Sequence, residues 1–350
     1  MSEIIDQPPS FTWKKYALDF GLGNGKVVLW CPQTSDFDEH EKGNWKRKGG
    51  IDKEELEEFK AFQDWKKTMQ ENLARQERYE SHLHHDRPYS LRSIHVQAIT
   101  RFPQGQVGFV KIEAWIQREA TSEQQKETAD PHKYPVDYRN TLYETIFLRG
   151  GSVAVLMILR PSDKRDERWV ILTEQARVPA CSLRFIEIPA GMMDAEHNFA
   201  GVAAREIAEE TGLKIPESEL VNMTELALED SHDDPETLAK AMYPSPGGCD
   251  EYISLFLWEK EMDRVHIEAL KGKITGLRTA GETITLRLVK YTELWKVGAR
   301  DAKTLGAWAL YEGLSNSGGL RDQEQQRQAK KHRTDASLNA FLKALKGRPS

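Results

Sequence analysis

The run from Gly191 to Leu213, GMMDAEHNFAGVAAREIAEETGL, puts three glutamates, Glu206, Glu209 and Glu210, on one predicted helix between two glycines. At about 100° per residue, Glu206 and Glu210 project about 40° apart. They lie close to Phe199, Ala203 and Ile207, at or inside the apolar arc. An unpaired carboxylate at the edge of a core costs several kcal/mol of desolvation, so carboxylates meant only for solvent would face the other way. A bound cation removes the conflict. Magnesium takes hard oxygen ligands and keeps several waters, so two or three convergent carboxylates that leave room for a phosphate suit it. Gly212 stands where a left-handed C-terminal cap is expected, and Pro189 and Gly191 mark the turn that leads in.

Composition narrows the classes. The chain has 350 residues, 39% hydrophobic and 30% charged, which describes a protein with a real core and sizeable polar extensions. A net charge of −6 argues against a general nucleic-acid binder. No apolar run approaches the length of a membrane span. The start, MSEIIDQPPSF, has neither the apolar core of a secretion signal nor an Arg-rich amphipathic helix. Cys31, Cys181 and Cys249 lack metal-ligand spacing and cannot all pair with one another. The expectation is a reducing compartment, cytoplasmic or nuclear.

Along the chain, YALDF and KVVLW flank GLGNG, and Asn24-Gly25 predicts a tight hairpin turn over residues 13 to 31. GLGNGK lacks the spacing and the terminal Ser or Thr of a phosphate loop. From Asp52 to about Glu80, Leu56, Phe59, Phe62, Trp65 and Met69 fall at helical intervals, predicting one amphipathic helix whose aromatic stripe packs. His82, His84 and His85 sit in a polar stretch and read as a solvated linker rather than a metal site. LRSIHVQAITRF and GQVGFVKIEAWIQ predict two strands, and residues 118 to 138 a polar loop.

Further on, Val153 to Leu159 reads as a buried strand, followed by RWVILTEQARV and SLRFIEIPAG, the latter feeding the Gly191 turn. YISLFLW and TITLRLV add strands, and Asp301 to Leu314 has helical periodicity. Strands interleaved with two helices indicate an α/β sheet covered by helices. Residues 321 to 333 form a charged tail, and Ala336 to Leu345 can form a short helix. The division is 1–139 as an N-terminal α+β extension, 140–315 as the main domain and 316–350 as a polar tail.

Gly191, Arg205, Glu206, Ile207, Glu209, Glu210, Gly212 and Leu213 together resemble the Nudix box, a glycine followed by Arg-Glu-apolar-x-Glu-Glu-x-Gly-apolar. One position departs: His197 stands where the box has its first glutamate. Glu174 to Arg177, Glu187 to Gly191 and Ser245 to Glu251 are similar to the ADP-ribose and ADP-sugar pyrophosphatase branch. The stretch KGKITGLRTAGETITLRLVKYTELW is most like plant-type ADP-sugar diphosphatases. The resemblance covers residues 140 to 315 and implies a Nudix-type α/β/α sandwich with a mixed sheet.

By that resemblance the substrate is a nucleoside diphosphate sugar, ADP-ribose or ADP-glucose before UDP-glucose. The reaction is hydrolysis of its pyrophosphate linkage with Mg²⁺ or Mn²⁺, giving AMP and a sugar phosphate. Glu206 and Glu210 would be direct metal ligands, Glu209 a ligand or supporting group, and the carbonyl of Ala190 a further donor. Glu282, in the loop TAGETITL, matches the family position of a general base, with a solvent-facing turn glutamate as the alternative. Arg205 would orient the carboxylates. Arg149 and Arg177 match positions near phosphate or the terminal sugar, Arg149 equally a structural ion pair. Gly247 and Gly248 let backbone approach substrate, and Glu251 is a loop acid of the same motif. The resemblance extends to homodimers, with residues 90 to 117 as the interface. His197 motivates the alternative, a catalytically weak or inactive domain that binds nucleotide or acts in interactions.

Overall fold

A computed structural model describes residues 11–21, 26–34, 50–102, 105–119, 140–193, 198–229, 236–276, 283–321 and 323. By its internal contacts the chain divides into two compact units, which are interleaved in sequence. One comprises residues 1–152, 192–197 and 231–253, the other residues 153–191, 198–230 and 254–350.

The first unit is built on a five-stranded sheet, β1 (Phe11–Leu18), β2 (Val27–Thr34), β3 (Ser90–Arg101), β4 (Val107–Gln117) and β5 (Thr141–Leu148), in that order across the sheet. β1 and β2 pair antiparallel, as the hairpin prediction requires, with Leu18 opposite Val27. The predicted turn itself, at Asn24-Gly25, lies outside the described residues. β2 and β3 run parallel. A parallel pair needs a crossover, and α1 (Lys53–Glu58) and α2 (Lys60–Arg78) fill the connection. One helix was predicted there; two are found, because Phe59 takes an extended ψ of 115° and its ring packs on the core instead of continuing the spiral. Asp52 caps the first helix by accepting from the Glu55 N–H at 2.8 Å. Leu18, Leu29, Leu56, Phe62, Ile94, Ile112 and Leu148 form the centre of this core.

Gln76, buried on α2, grips β3 through the backbone of Tyr89, accepting its N–H at 2.9 Å. The histidine stretch is tied to that helix rather than a solvated linker: the His85 Nδ1 lies 3.0 Å from the Gln76 carbonyl, and His84 meets Tyr89 edge to face. β3 and β4 are each paired on both sides by strands of this chain. From Ser93 to His95 on β3 and from Val110 to Gln117 on β4, both edges are paired within the chain. Most of the predicted loop at 118 to 138 lies outside the described residues.

The second unit rests on strands in the order β10 (Val221–Asn222), β11 (Tyr252–Met262), β6 (Gly151–Pro161), β7 (Trp169–Arg177), β13 (Ile284–Lys290) and β12 (Ile274–Thr275). β8 (Ser182–Glu187) pairs with β7, and β9 (Ala190–Met192) with β6. β6 reads as a continuous apolar run because Val153 to Leu159 are all buried, as in a strand covered on both faces. The helices are α3 (Phe199–Thr211), α4 (Met223–Ala227), α5 (Arg264–Glu268), α6 (Leu294–Val297) and α7 (Ala302–Ser317). Mixed sheets with helices give the expected α/β class. Among the described residues no helix is long and apolar enough to cross a membrane. The predicted helix at 336 to 345 lies outside them.

Candidate functional site

The site in the second unit begins with helix α3, whose ends are set locally. The Asn198 side chain accepts from the Gly201 N–H at 3.2 Å. Gly212 adopts φ +73°, the left-handed cap, with its N–H on the Ala208 carbonyl at 3.0 Å. Val202, Ala203, Ile207, Glu210 and Thr211 form the buried face. Glu210 is therefore a carboxylate on the core side, only 5% exposed. Glu206, one turn earlier, is half-buried, whereas Glu209 faces solvent.

Two fixed donors hold Glu210. The Ala190 N–H donates to Oε2 at 3.0 Å, and the Gln175 Nε2 donates to Oε1 at 3.2 Å. Burial nevertheless pushes its pKa up to about 8, with the nearby carboxylates Glu187 and Glu206 acting in the same direction. The two hydrogen bonds oppose the shift. Glu206 lies directly over Gly191: a Cβ at that glycine would stand 1.9 Å from the Glu206 Cδ. Gly191 is thus required by the space the carboxylate occupies, and not by an unusual φ. The structure brings Ala190, Gly191, Glu206 and Glu210 together.

Behind them lies a network the sequence reading missed. Glu187, 2% exposed, accepts from the Arg177 Nε at 2.6 Å and from the Lys303 ammonium. Lys303 also reaches Asp301 at 2.9 Å, and Asp301 caps α7 through the Thr304 N–H at 3.2 Å. The Thr304 hydroxyl in turn accepts from the Ile188 N–H at 3.1 Å. Arg177 is therefore oriented by a buried acid, with its side chain 36% exposed. Gln175 and Glu187 stood inside motifs already singled out, but nothing local signals Lys303, which is 116 residues from Glu187.

Among the described residues, no three His, Cys, Asp or Glu side chains are gathered to enclose a metal ion. The donor set still fits one kind of ion. Glu206 and Glu210 offer hard oxygens beside a strand-end peptide, and a buried Glu210 is relieved of its desolvation by a cation. Glu282 and His197 lie outside the described residues. Arg205 is half-buried on α3.

The first unit holds the remaining candidates. The Arg149 Nε donates to the Glu251 Oε1 at 2.9 Å, so the two predicted substrate residues form an ion pair. The Ser152 hydroxyl donates to the same oxygen at 3.2 Å. Asp250 accepts the Arg149 and Gly150 N–H groups at 2.7 and 3.1 Å, and burial pushes its pKa up to about 6. The Arg149 guanidinium lies 5.7 Å from the Phe109 ring centre. The Gly248 carbonyl accepts from the Phe147 N–H at 2.9 Å, while a Cβ at Gly247 or Gly248 would meet open space.

Residues 149–308 match a family profile described as NUDIX domain. The protein named "Nudix hydrolase 14, chloroplastic" of Arabidopsis thaliana is 34% identical over 263 residues, covering 75% of this chain and 73% of that protein. A solved structure described as "Crystal structure of ADP compounds hydrolase" is 12% identical, with a TM-score of 0.36. The match covers 66% of this chain and 96% of that one, a likeness too slight to bear on function.

Proposed function

The chain belongs to the Nudix hydrolase family, and we propose that it hydrolyses the pyrophosphate bond of a nucleoside diphosphate sugar, with ADP-ribose and ADP-glucose the first candidates. The observation that carries this reading is the pairing of Glu210, buried and pinned by Ala190 and Gln175, with Glu206 seated over Gly191. Glu206 and Glu210 would hold Mg²⁺ or Mn²⁺, with Glu209 and the Ala190 carbonyl as further oxygens. A divalent cation supplies charge neutralisation for the diphosphate oxygens and acidifies water.

The chain's own groups do the rest in this account. The Ala190 N–H and the Gln175 amide fix the Glu210 oxygens before substrate arrives, so no reorganisation is needed at the moment of reaction. Glu187 holds Arg177 by Nε and leaves the guanidinium edge for a phosphate oxygen. Glu282 takes the proton from the attacking water, and Arg205 orients the carboxylates. By the family resemblance Arg149, paired with Glu251, serves the phosphate or the terminal sugar, and Gly247 and Gly248 let backbone approach substrate. The products are AMP and a sugar phosphate.

His197 in place of the first box glutamate favours a second reading, a domain that binds the nucleotide without cleaving it. A panel of ADP-ribose, ADP-glucose, UDP-glucose and NADH with Mg²⁺ separates the two. Release of AMP from an ADP-sugar supports hydrolysis. Saturable binding with no cleavage of any of the four at any Mg²⁺ concentration supports the binding protein.

A further inference from the structure

We propose that the second unit carries a separate binding site for a phosphate monoester, in a cavity of about 850 Å³ lined by Glu174, Arg184, Ile186, Lys271, Arg287 and Leu288. The volume is in the range of small-molecule sites, about 300 to 1,000 Å³. Glu174 and Gln175 are successive residues of β7 and so point to opposite faces of the sheet. Gln175 reaches Glu210, which places the cavity on the face away from α3 and its carboxylates.

The charges at this cavity are arranged around one acid. Glu174 accepts from the Arg184 Nε at 3.0 Å through Oε1. Through Oε2 it accepts from the Arg287 Nε at 3.0 Å and Nη2 at 2.5 Å. The acid stays ionised, held below the usual carboxylate range first by its hydrogen bond from Arg184. It orients both guanidinium groups but offsets only one of the three cations in the lining. Arg184 spends Nε alone on Glu174, and among the described residues the Lys271 ammonium has no hydrogen bond or ion pair. The surplus of two positive charges matches a phosphate monoester, which carries about −1.5 to −2 at neutral pH. The outward edge of Arg184 suits two phosphate oxygens. Ile186 and Val289, on the same faces of their strands as Arg184 and Arg287, provide an apolar floor for the organic part of the ligand.

Lys271 is also well placed by the backbone. The Gly272 N–H donates to the Leu286 carbonyl and the Leu286 N–H to the Lys273 carbonyl, each at 2.9 Å, so the turn bearing Lys271 is fixed on β13 beside Arg287. This reading concerns a different face from the proposed hydrolytic site, and it stands or falls independently of it.

The test is isothermal titration of the full chain in EDTA with two monoesters, AMP and ribose 5-phosphate. At least one is expected to bind, and which one identifies whether the organic part is a nucleoside or a bare sugar. Arg184→Ala combined with Lys271→Ala should weaken that binding by about 10-fold or more, the loss of two charge-assisted contacts. Lys271→Glu should weaken it as much, Arg184→Lys less, and Glu210→Gln not at all. Both substituted side chains are exposed, and the wild-type thermal midpoint checks that each variant is folded. Should the double variant lose its fold, the single variant Lys271→Glu carries the comparison. Binding of neither monoester, binding that survives the charge changes in a folded variant, or binding abolished by Glu210→Gln would overturn the proposal.

Discussion

Glu210 concentrates the energetic conflict of this fold in one side chain, because its two hydrogen bonds are too few to offset near-complete burial. Its folded pKa, about 8, lies above the ordinary 4.5. A carboxyl group shifted upward contributes stability that is fully present below the unfolded value and is lost as pH rises through the folded one. The metal-free protein should therefore lose thermal stability between about pH 5 and about pH 8, and Glu210→Gln should flatten that slope. Added Mg²⁺ should raise the midpoint most at the alkaline end, where the ionised carboxylate it selects is formed. Equal slopes for wild type and Glu210→Gln in thermal melts would show that this carboxylate does not titrate as described. Gly191 gives a steric counterpart. Gly191→Ala drives a methyl group into the Glu206 carboxyl, so kcat/KM should fall about 100-fold, the typical effect of a displacement near 1 Å at a reacting centre. Circular dichroism should show the fold retained.

At the scale of elements, the boundaries written in local sequence were legible and those set by distant partners were not. Gly212 ends α3 because only glycine takes its φ cheaply, and Asp301 begins α7 by capping Thr304, both readable within a few residues. The break at Phe59 was invisible to helical spacing, since Phe59 and Phe62 fit either one helix or two and the core decided. The pairing of Glu187 with Lys303 was equally hidden, as it joins β8 to the first turn of α7. That pair makes a quantitative prediction. Lys303→Ala leaves a buried acid with Arg177 as its remaining cationic partner, and breaking a buried pair in this way costs about 3 kcal/mol. Denaturant unfolding of the variant measures it, and a loss below about 0.5 kcal/mol would place Glu187 in a wetter setting than its burial indicates.

For the whole molecule, the N-terminal region helps to build the core of the first unit. Leu18, Leu29, Leu56 and Phe62 are fully buried in the first unit alongside Ile94, Ile112 and Leu148. Removing residues 1 to 85 should therefore abolish cooperative folding of that unit. Thermal melts of the truncated chain measure it, and a 1–85 deletion that melts like wild type would contradict the packing. The α/β class followed from strand-like runs interleaved with helical ones, and helical periodicity put Glu206 and Glu210 on one face, whereas Ala190 entered only through the family resemblance. The interleaving of the two units was not legible, since it depends on contacts between segments over a hundred residues apart. Whether Glu206 and Glu210 serve pyrophosphate hydrolysis is read from AMP release from ADP-ribose and ADP-glucose as Mg²⁺ is titrated into wild type, Glu206→Gln and Glu210→Gln. Metal-dependent release by wild type, with both variants slower by about 100-fold or more at any Mg²⁺ concentration, is the predicted result. Release by either variant at the wild-type rate, or none by wild type, would contradict it.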